Sequence, residues 1–290
     1  MNTITGHTGF MGLLGSPVAH SISPLMHNEA FQILGLNYVY LCFDVNEETL
    51  GTAVKGLKAC GIRGFNLTMP DKNKIIEFLD ELSPEARLIG AVNTVLNENG
   101  KLIGYNTDGY GFMQALREEG YDVNGKEVTV MGIGGASMAI CAQAALDGAT
   151  DLNIFGRPSS RYWKRACTFC ENLQQQTGCR VNLFDNEDHY SLKKSLENSS
   201  ILINATSVGM IPDTDNSIIK DTSLFYPDLT VADVIYEPRE TRLLKEAKAA
   251  GCKTVNGMYM LLYQGAKAFK IWTGKDMPVS VIKEKFFSGK

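Results

Sequence analysis

The segment GFNLTMPDKNK, residues 64–74, carries an apolar run to Thr68, turns at Pro70 and presents Lys72 just past the strand end. A lysine there is either a solvated surface charge or an ammonium held over a pocket. Its setting favours the pocket. Ligands of open α/β sheets bind at the carboxyl ends of the strands, Thr68 stands just before Lys72, and YNTD at 105–108 brings a carboxylate, Asp108, from another strand end. Taken alone, Asp108 reads most simply as the N-cap of the following helix. Lys74, two residues on, would point away from a site that Lys72 faces and keeps the surface reading.

A second chemical motif is VTVMGIGGASMA, an apolar strand running into Gly132, Ile133, Gly134, Gly135 and Ala136 and then an alanine-rich helix. Glycines let the backbone turn sharply and approach a pyrophosphate, whose charge meets the free N–H groups of the helix start. About 20 residues on, NAD sites carry a carboxylate for the ribose, whereas NADP sites place arginine there. This chain reads FGRPSSR at 155–161, with Arg157 and Arg161 flanking Ser159 and Ser160 and no carboxylate at the strand end. Guanidinium groups bind a 2′-phosphate at two points, so NADP is expected over NAD.

Two polar clusters in the N-terminal part suit a substrate, their hydroxyls able to hold a carboxylate or a polyol. SPVAHSISPLMHN gathers Ser16, Ser21 and Ser23 after the first strand, although capping alone explains Ser23, and His20 and His27 read as structural. GAVNTVLNENGKLIGYNTDGYG reads as a hairpin turning at ENG, ending in Asn106, Thr107 and Asp108.

These residues must be positioned by alternating strands and helices. MGLLGS reads as a strand, SPLMHNEAFQILG as a helix capped by Ser23 with Pro24 at its first turn and Gly35 at its exit, YVYLCFDV as a strand, 46–60 as a helix and GFNLTM as a strand. A second βα series runs from GKEVTVMGIGG through DLNIF, CRVNLF, SILINATS, TVADVIY and KTVNG. The expected fold is two α/β domains with a cleft between them: a substrate domain with a mainly parallel sheet, residues 1–110 plus 258–290, and a Rossmann dinucleotide-binding domain, residues 111–257. MYMLLYQGAKAFKIWTG carries Met258, Leu261, Leu262, Phe269 and Trp272 at helical spacing and reads as a packing helix.

At 290 residues, 44% hydrophobic and 21% charged, the chain can bury a sizeable core, and its net charge of −4 gives no bulk attraction to nucleic acid or anionic lipid. No leader pattern and no apolar run near the roughly 20 residues of a membrane span is present, so the expected location is the cytoplasm. Seven scattered cysteines fit reduced thiols. Cys167 and Cys170 form C-x-x-C at helical spacing without a second pair, which favours packing over a metal site.

The blocks SPVAHSISPLMHN, NLTMPDK, GAVNT, YNTDGYG, GIGGASMA, NATSVGM, DVIYEPRETRLL and NGMYMLLYQGA occur in the order of one family. Over nearly its whole length the chain resembles shikimate dehydrogenase and its quinate/shikimate relatives, with IWTGKDMP and NLTMP most similar to the quinate/shikimate subgroup. The resemblance implies reversible hydride transfer between NADP(H) and the ring carbon that distinguishes 3-dehydroshikimate from shikimate, in chorismate and aromatic amino-acid biosynthesis. By position it implies Ser21 and Ser23 at the substrate carboxylate, Thr68, Asn93 and Gln264 at the ring hydroxyls, and Tyr236 as a further substrate contact. Lys72 and Asp108 match the catalytic acid–base pair. Ile133 to Ala136 match the diphosphate turn, and Ser207, Ile235 and Gly257 line the cofactor site. Gly156 departs from the Asn of many members while Arg157 remains, and Ser159 stands where NAD-using members carry Asp. The implied partners are a small-molecule substrate and a dinucleotide, with no metal, and the chain is a monomer or homodimer. The alternatives are a quinate/shikimate dehydrogenase using NAD or both cofactors, and a ligand-sensing regulator without turnover. The regulator would be marked by loss of Lys72, Asp108 or the glycine turn, and all three are present.

Overall fold

The computed structural model describes residues 3–287. It divides into two compact units, one running up to Thr107 and resuming at Leu262, the other spanning Asp108–Leu261. The first contains β1 (Gly9–Gly15), α1 (Ser23–Ile33), β2 (Tyr38–Asp44), α2 (Leu50–Ala59), β3 (Gly64–Leu67), β4 (Glu81–Leu82), α3 (Pro84–Ile89), β5 (Thr94–Glu98) and β6 (Lys101–Tyr105). Its six strands are ordered β2-β1-β3-β5-β6-β4. β1 pairs in parallel with β2 and β3, and β4 with β6, whereas β5 runs antiparallel to both neighbours. The antiparallel pair is the hairpin expected at ENG, closed by Asn99 and Gly100, whose positive φ angles of 53° and 89° match the twist of the flanking strands.

Two local expectations are corrected. Ser23 is the first residue of α1 rather than its cap; Ile22 occupies the cap without a side-chain bond, and the Ser23 N–H donates to Ser21 Oγ at 3.2 Å. The helix expected from residue 46 starts at Leu50, because the Asn46 side chain accepts the Glu48 and Thr49 N–H groups and holds those residues in a turn.

Alternation along β3 sends Phe65 and Leu67 to one face, with Leu14, Leu50, Val54, Val92 and Val95. Gly64 and Asn66 face the other way, toward aromatic rings. There His27 stacks on Tyr40 at 4.5 Å and lies 5.4 Å from Trp272, fully buried, and burial lowers its pKa to about 3, so it is a neutral packing group. Trp272 belongs to α9 (Met258–Thr273), whose docking was not legible from periodicity. Its indole N–H donates to Val95 O at 2.9 Å, and its backbone carbonyl accepts from Arg63 Nε at 2.9 Å. Of the stripe expected on α9, Leu262, Phe269 and Trp272 are buried, while Met258 and Leu261 are half-buried.

The second unit contains α4 (Asp108–Glu118), β7 (Glu127–Met131), α5 (Gly135–Leu146), β8 (Asp151–Gly156), α6 (Trp163–Thr177), β9 (Arg180–Asp185), α7 (His189–Asn198), β10 (Ile201–Asn204), β11 (Thr230–Asp233), α8 (Arg242–Ala249) and β12 (Lys253–Val255). Its sheet order, β12-β11-β10-β7-β8-β9, is parallel throughout. This is the doubly wound arrangement, with its topological switch between β7 and β10. One core layer joins Phe155, Leu202 and Val231 to Leu243 and Leu244 of α8. On α6 Cys170 is buried and Cys167 half-buried, and both carry free thiols. Among the described residues no helix is long and apolar enough to cross a membrane.

A Cβ on Gly64 would lie 2.3 Å from Trp272 Nε1 and 2.6 Å from the Val95 carbonyl. Backbone cannot yield there as a flexible side chain can. Gly64→Ala is expected to expel the indole from its bond to Val95 and destabilise the first unit by about 1–3 kcal/mol, the usual cost of overpacking. Thermal melting of the variant checks this.

Candidate active site

Backbone bonds gather the ends of the strands in the first unit. The Thr68 N–H donates to Leu14 O at 2.9 Å and the Ser16 N–H to Met69 O at 3.1 Å, so the loops after β1 and β3 are pinned together. The Lys72 carbonyl accepts from the Val92 N–H at 2.8 Å, and the Asn93 carbonyl accepts from the Leu67 N–H at 2.9 Å. Lys72, Thr68 and Asn93 are thereby fixed at one end of the sheet. Lys72 and Thr68 are half-buried, and Asn93 is buried. Asn93 Nδ2 donates to Gln264 Oε1 of α9 at 3.3 Å, which adds a fourth expected residue to the group. Ser21 and Ser23 adjoin each other at the start of α1. Lys74 instead pairs with Glu77, 2.7 Å away on the exposed side of a short 3₁₀ turn.

Asp108 follows Thr107 directly and is the first residue of α4, buried, rather than a cap ahead of the helix. The Thr107 N–H donates to Asn93 Oδ1 at 2.8 Å, so the chain enters α4 from a fixed point.

In the second unit, the expected dinucleotide turn lies at the topological switch. Gly132 takes a φ of 118°, open only to glycine, and a Cβ there would lie 2.9 Å from Ala205 O at the exit of β10. Gly134 caps α5, Gly135 and Ala136 begin it, and the space beside both glycines is open. Free N–H groups at this helix start, with nothing packed over Gly134 and Gly135, fit a pyrophosphate. Ser137 Oγ donates to Gly132 O at 2.6 Å and stiffens the turn.

Gly156 has a steric reason for departing from the family pattern: a Cβ there would lie 2.5 Å from Cγ2 of the buried Ile133. Arg157, Ser159 and Arg161 are exposed beyond β8. The Arg161 guanidinium lies 4.8 Å from the Tyr162 ring centroid and donates to its hydroxyl at 2.6 Å, which leaves most of its N–H donors for a phosphate.

Ser207 is exposed in the loop after β10, Ile235 is buried just after β11, and the Gly257 N–H donates to Ile235 O at 3.0 Å. Tyr236 is 40% exposed, and its partial burial raises the phenol. Sequence reading missed what shapes these loops. Buried Asp233 accepts from Asn204 Nδ2, the Ile235 N–H and Thr241 Oγ1 at 3.1, 3.0 and 2.8 Å, while burial pushes its carboxyl up to about 6. Its signal was available: Asn204 and Asp233 are polar residues closing the apolar strands SILIN and TVAD.

Asp71, beside Lys72, was also missed. Its carboxyl is fully buried with both oxygens lacking a hydrogen-bond partner, and burial, then the Glu47 charge, raises it from 3.8 to about 6. The folded state thus favours the protonated acid. Stability from this group is full below pH 3.8, declines as pH rises toward about 6, and stays lost above it. Asp71→Asn, which mimics the neutral acid, is expected to raise the melting temperature at pH 7.5 by the equivalent of about 1–3 kcal/mol. The advantage over the parent should vanish near pH 4, and melts at both pH values check it.

The model of the shikimate dehydrogenase substrate binding domain matches residues 13–95, and that of the shikimate 5′-dehydrogenase C-terminal domain matches residues 257–285. The chain is 50% identical over 284 residues to the shikimate dehydrogenase (NADP(+)) of Listeria innocua, covering 98% of this chain and 97% of the relative. It is 49% identical to that of Streptococcus uberis, covering 98% and 97%. The crystal structure of shikimate 5-dehydrogenase from Listeria monocytogenes, in complex with shikimate and NAD, superposes with a TM-score of 0.95 at 49% identity, covering 99% of each chain. With identity at this level across almost the whole length, the chain belongs to the shikimate dehydrogenase family.

Proposed function

We propose that this protein is an NADP-dependent shikimate dehydrogenase, catalysing reversible reduction of 3-dehydroshikimate to shikimate on the route to chorismate and the aromatic amino acids. The observation that carries the reading is the gathering of Thr68, Lys72, Asn93 and Gln264 at one sheet end of the first unit. Ser21 and Ser23 offer hydroxyls to the substrate carboxylate, and Thr68, Asn93 and Gln264 hold the ring hydroxyls. Tyr236 adds a further contact.

A bound nicotinamide supplies or takes up the hydride. For the alcohol to form, the carbonyl oxygen must gain a proton as its carbon gains the hydride; in the reverse direction the hydroxyl proton must leave. Lys72 delivers and receives that proton, and its ammonium stabilises the charge developing on oxygen. Asp108 orients Lys72 and accepts a hydrogen bond from the reacting hydroxyl before that proton passes to Lys72. The turn from Gly132 to Ala136 holds the diphosphate on the N–H groups of α5, with Gly156, Ser207, Ile235 and Gly257 lining the site. Arg157 and Arg161, with Ser159, take the 2′-phosphate.

Steady-state oxidation of shikimate and of quinate with NADP and NAD tests the reading. Shikimate with NADP is expected to be the most efficient pair, and equal or better efficiency with NAD would sink the roles given to Arg157 and Arg161. Lys72→Ala should lower kcat by about 10²–10⁴-fold with a much smaller change in KM, because proton transfer is made in the transition state. Asp108→Asn should impair both. Replacing Arg157 or Arg161 by Ala should raise KM for NADP roughly 10-fold, as expected for loss of a charge-assisted hydrogen bond, and leave KM for NAD nearly unchanged.

A further inference from the structure

The strand order of the second unit divides its dinucleotide site into two halves. Residues beyond β8 take the 2′-phosphate in the proposed function, so the adenosine half lies on the β7-β8-β9 side of the switch, and the nicotinamide half falls to the loops after β10 and β11. Ser207 and Ile235 stand in those loops. Two buried residues to which the proposed function gives no role hold both loops in place.

Asn204 and Asp233 end β10 and β11, face each other in the parallel register and are fully buried. Their side chains leave the sheet on one face, and Asn204 Nδ2 donates to Asp233 Oδ1 at 3.1 Å. Backbone groups decide which way the Asn204 amide is turned. The Thr206 N–H can only donate and lies 3.1 Å from Asn204 Oδ1, while the Val208 carbonyl can only accept and lies 3.3 Å from Asn204 Nδ2. Thr206 Oγ1 donates to the same Oδ1 at 2.7 Å and accepts from the Val208 N–H at 3.1 Å. Ser207 is therefore the middle residue of a turn wrapped on one amide. On the other strand, Asp233 Oδ1 accepts the Ile235 N–H at 3.0 Å, and the Ile235 carbonyl accepts the Gly257 N–H at 3.0 Å. A Cβ on Gly257 would lie 2.0 Å from Val234 O, so the chain has no slack there. Asp233 Oδ2 accepts from Thr241 Oγ1 at 2.8 Å, a bond that leads to the cap of α8 and to neither loop.

Resting on the proposed function, we propose that Asn204 and Asp233 are positioning residues for hydride transfer. Acting through the two loops, they hold Ser207, Ile235 and Gly257 in one arrangement, and that arrangement sets where the nicotinamide ring rests. Affinity for the dinucleotide comes from the other end, from the turn after β7 and from Arg157 and Arg161. Losing the pair therefore costs turnover far more than binding. A pair that served only to register β10 against β11 would cost stability and leave turnover alone.

Kinetics, binding and melting of full-length variants test this. Asp233→Ala and Asn204→Ala are each expected to lower kcat for shikimate oxidation with NADP about 10–100-fold, the order of loss for a reactant misplaced by about 1 Å, while Kd for NADP by calorimetry changes less than about threefold. Asp233→Asn keeps an oxygen for Asn204 and Ile235 and should restore kcat to within about threefold of the parent. Thr241→Val removes only the bond toward α8, so it should lower the melting temperature and leave kcat within about twofold. Should the alanine variants fail to fold, Thr206→Val, which removes one hydroxyl from a half-buried position, gives the milder form, with kcat down about 3–10-fold and NADP affinity kept. By NMR, NADP should shift the backbone amides of Ser207 and Ile235 in the parent. In Asp233→Ala those shifts should shrink while the shifts of Gly134 and Gly135 remain, and in Thr206→Val the Ser207 shift should shrink. Unchanged kcat in the alanine variants or in Thr206→Val, an equal fall in Thr241→Val, or a loss of NADP affinity as large as the loss of kcat would each overturn the proposal. Absence of shikimate oxidation by the parent would overturn the proposed function instead, and the NADP-induced shifts at Ser207 and Ile235 would still decide whether the pair positions the loops.

Discussion

Asn93 is where the first unit is tied together. Its carbonyl accepts from the Leu67 N–H and from Asn66 Nδ2, its N–H donates to Tyr105 O, and its side chain bonds Thr94, Thr107 and Gln264. A buried amide with an unmatched group would cost about 1–3 kcal/mol, so the surrounding strands must keep their present registers to satisfy it. That requirement couples β3, β5, β6 and α9 at one point. The same requirement holds the chain leading into Asp108, because the Thr107 N–H has its acceptor on Asn93.

Lys72 depends on that point indirectly. Its carbonyl is held by the N–H of Val92, the residue before Asn93. Lys72 therefore begins from an anchored backbone although its side chain is long and flexible. Asp71 alongside it fits poorly: a carboxyl with no donor is buried where an apolar or amide group would be more stable. Local misfits of this kind are tolerated where surrounding bonds over-determine the backbone, and the turn from Thr68 to Asp71 is closed by the Asp71 N–H on Thr68 O at 3.1 Å.

Much of the fold was legible in the sequence because its signals are local. Alternating apolar strands and helices, the Asn99-Gly100 hairpin turn and the glycine turn after β7 each carry their conformation in adjacent residues. What escaped notice depends on partners distant in the chain. Asn66 stood in plain view as the polar residue of GFNL, yet its donor, Tyr40, lies 26 residues away and its anchor, Asn93, 27. The docking of α9 turns on Gly64 leaving room for Trp272, a contact spanning most of the chain. Capping at Ser23 and Asp108 was misjudged by one position, since side-chain oxygen chemistry is much the same at the cap and in the first turn. The Gly156 departure likewise has its cause outside its own segment, in the Ile133 side chain that fills the space its Cβ would need.

Under the proposed function the two units meet the same demand, recognition at one end of a sheet, by opposite means. In the second unit the dinucleotide turn works by omission: glycines remove side chains so that backbone N–H groups and a helix start are exposed to a phosphate. Such a site reads charge and little else, and in the proposed function Arg157, Ser159 and Arg161 add the selectivity beside it. In the first unit the ends of β3 and β5 are crowded with hydroxyls and amides whose donors and acceptors are already committed to one another. A site of that kind distinguishes hydroxyl patterns, because a ligand that offers the wrong group leaves a buried amide unpaired. Under the proposed function, the constraint on substrate choice lies in the buried amide of Asn93, whose orientation is held by the Thr107 N–H on its Oδ1 and by its own donation to Thr107 Oγ1 and Gln264.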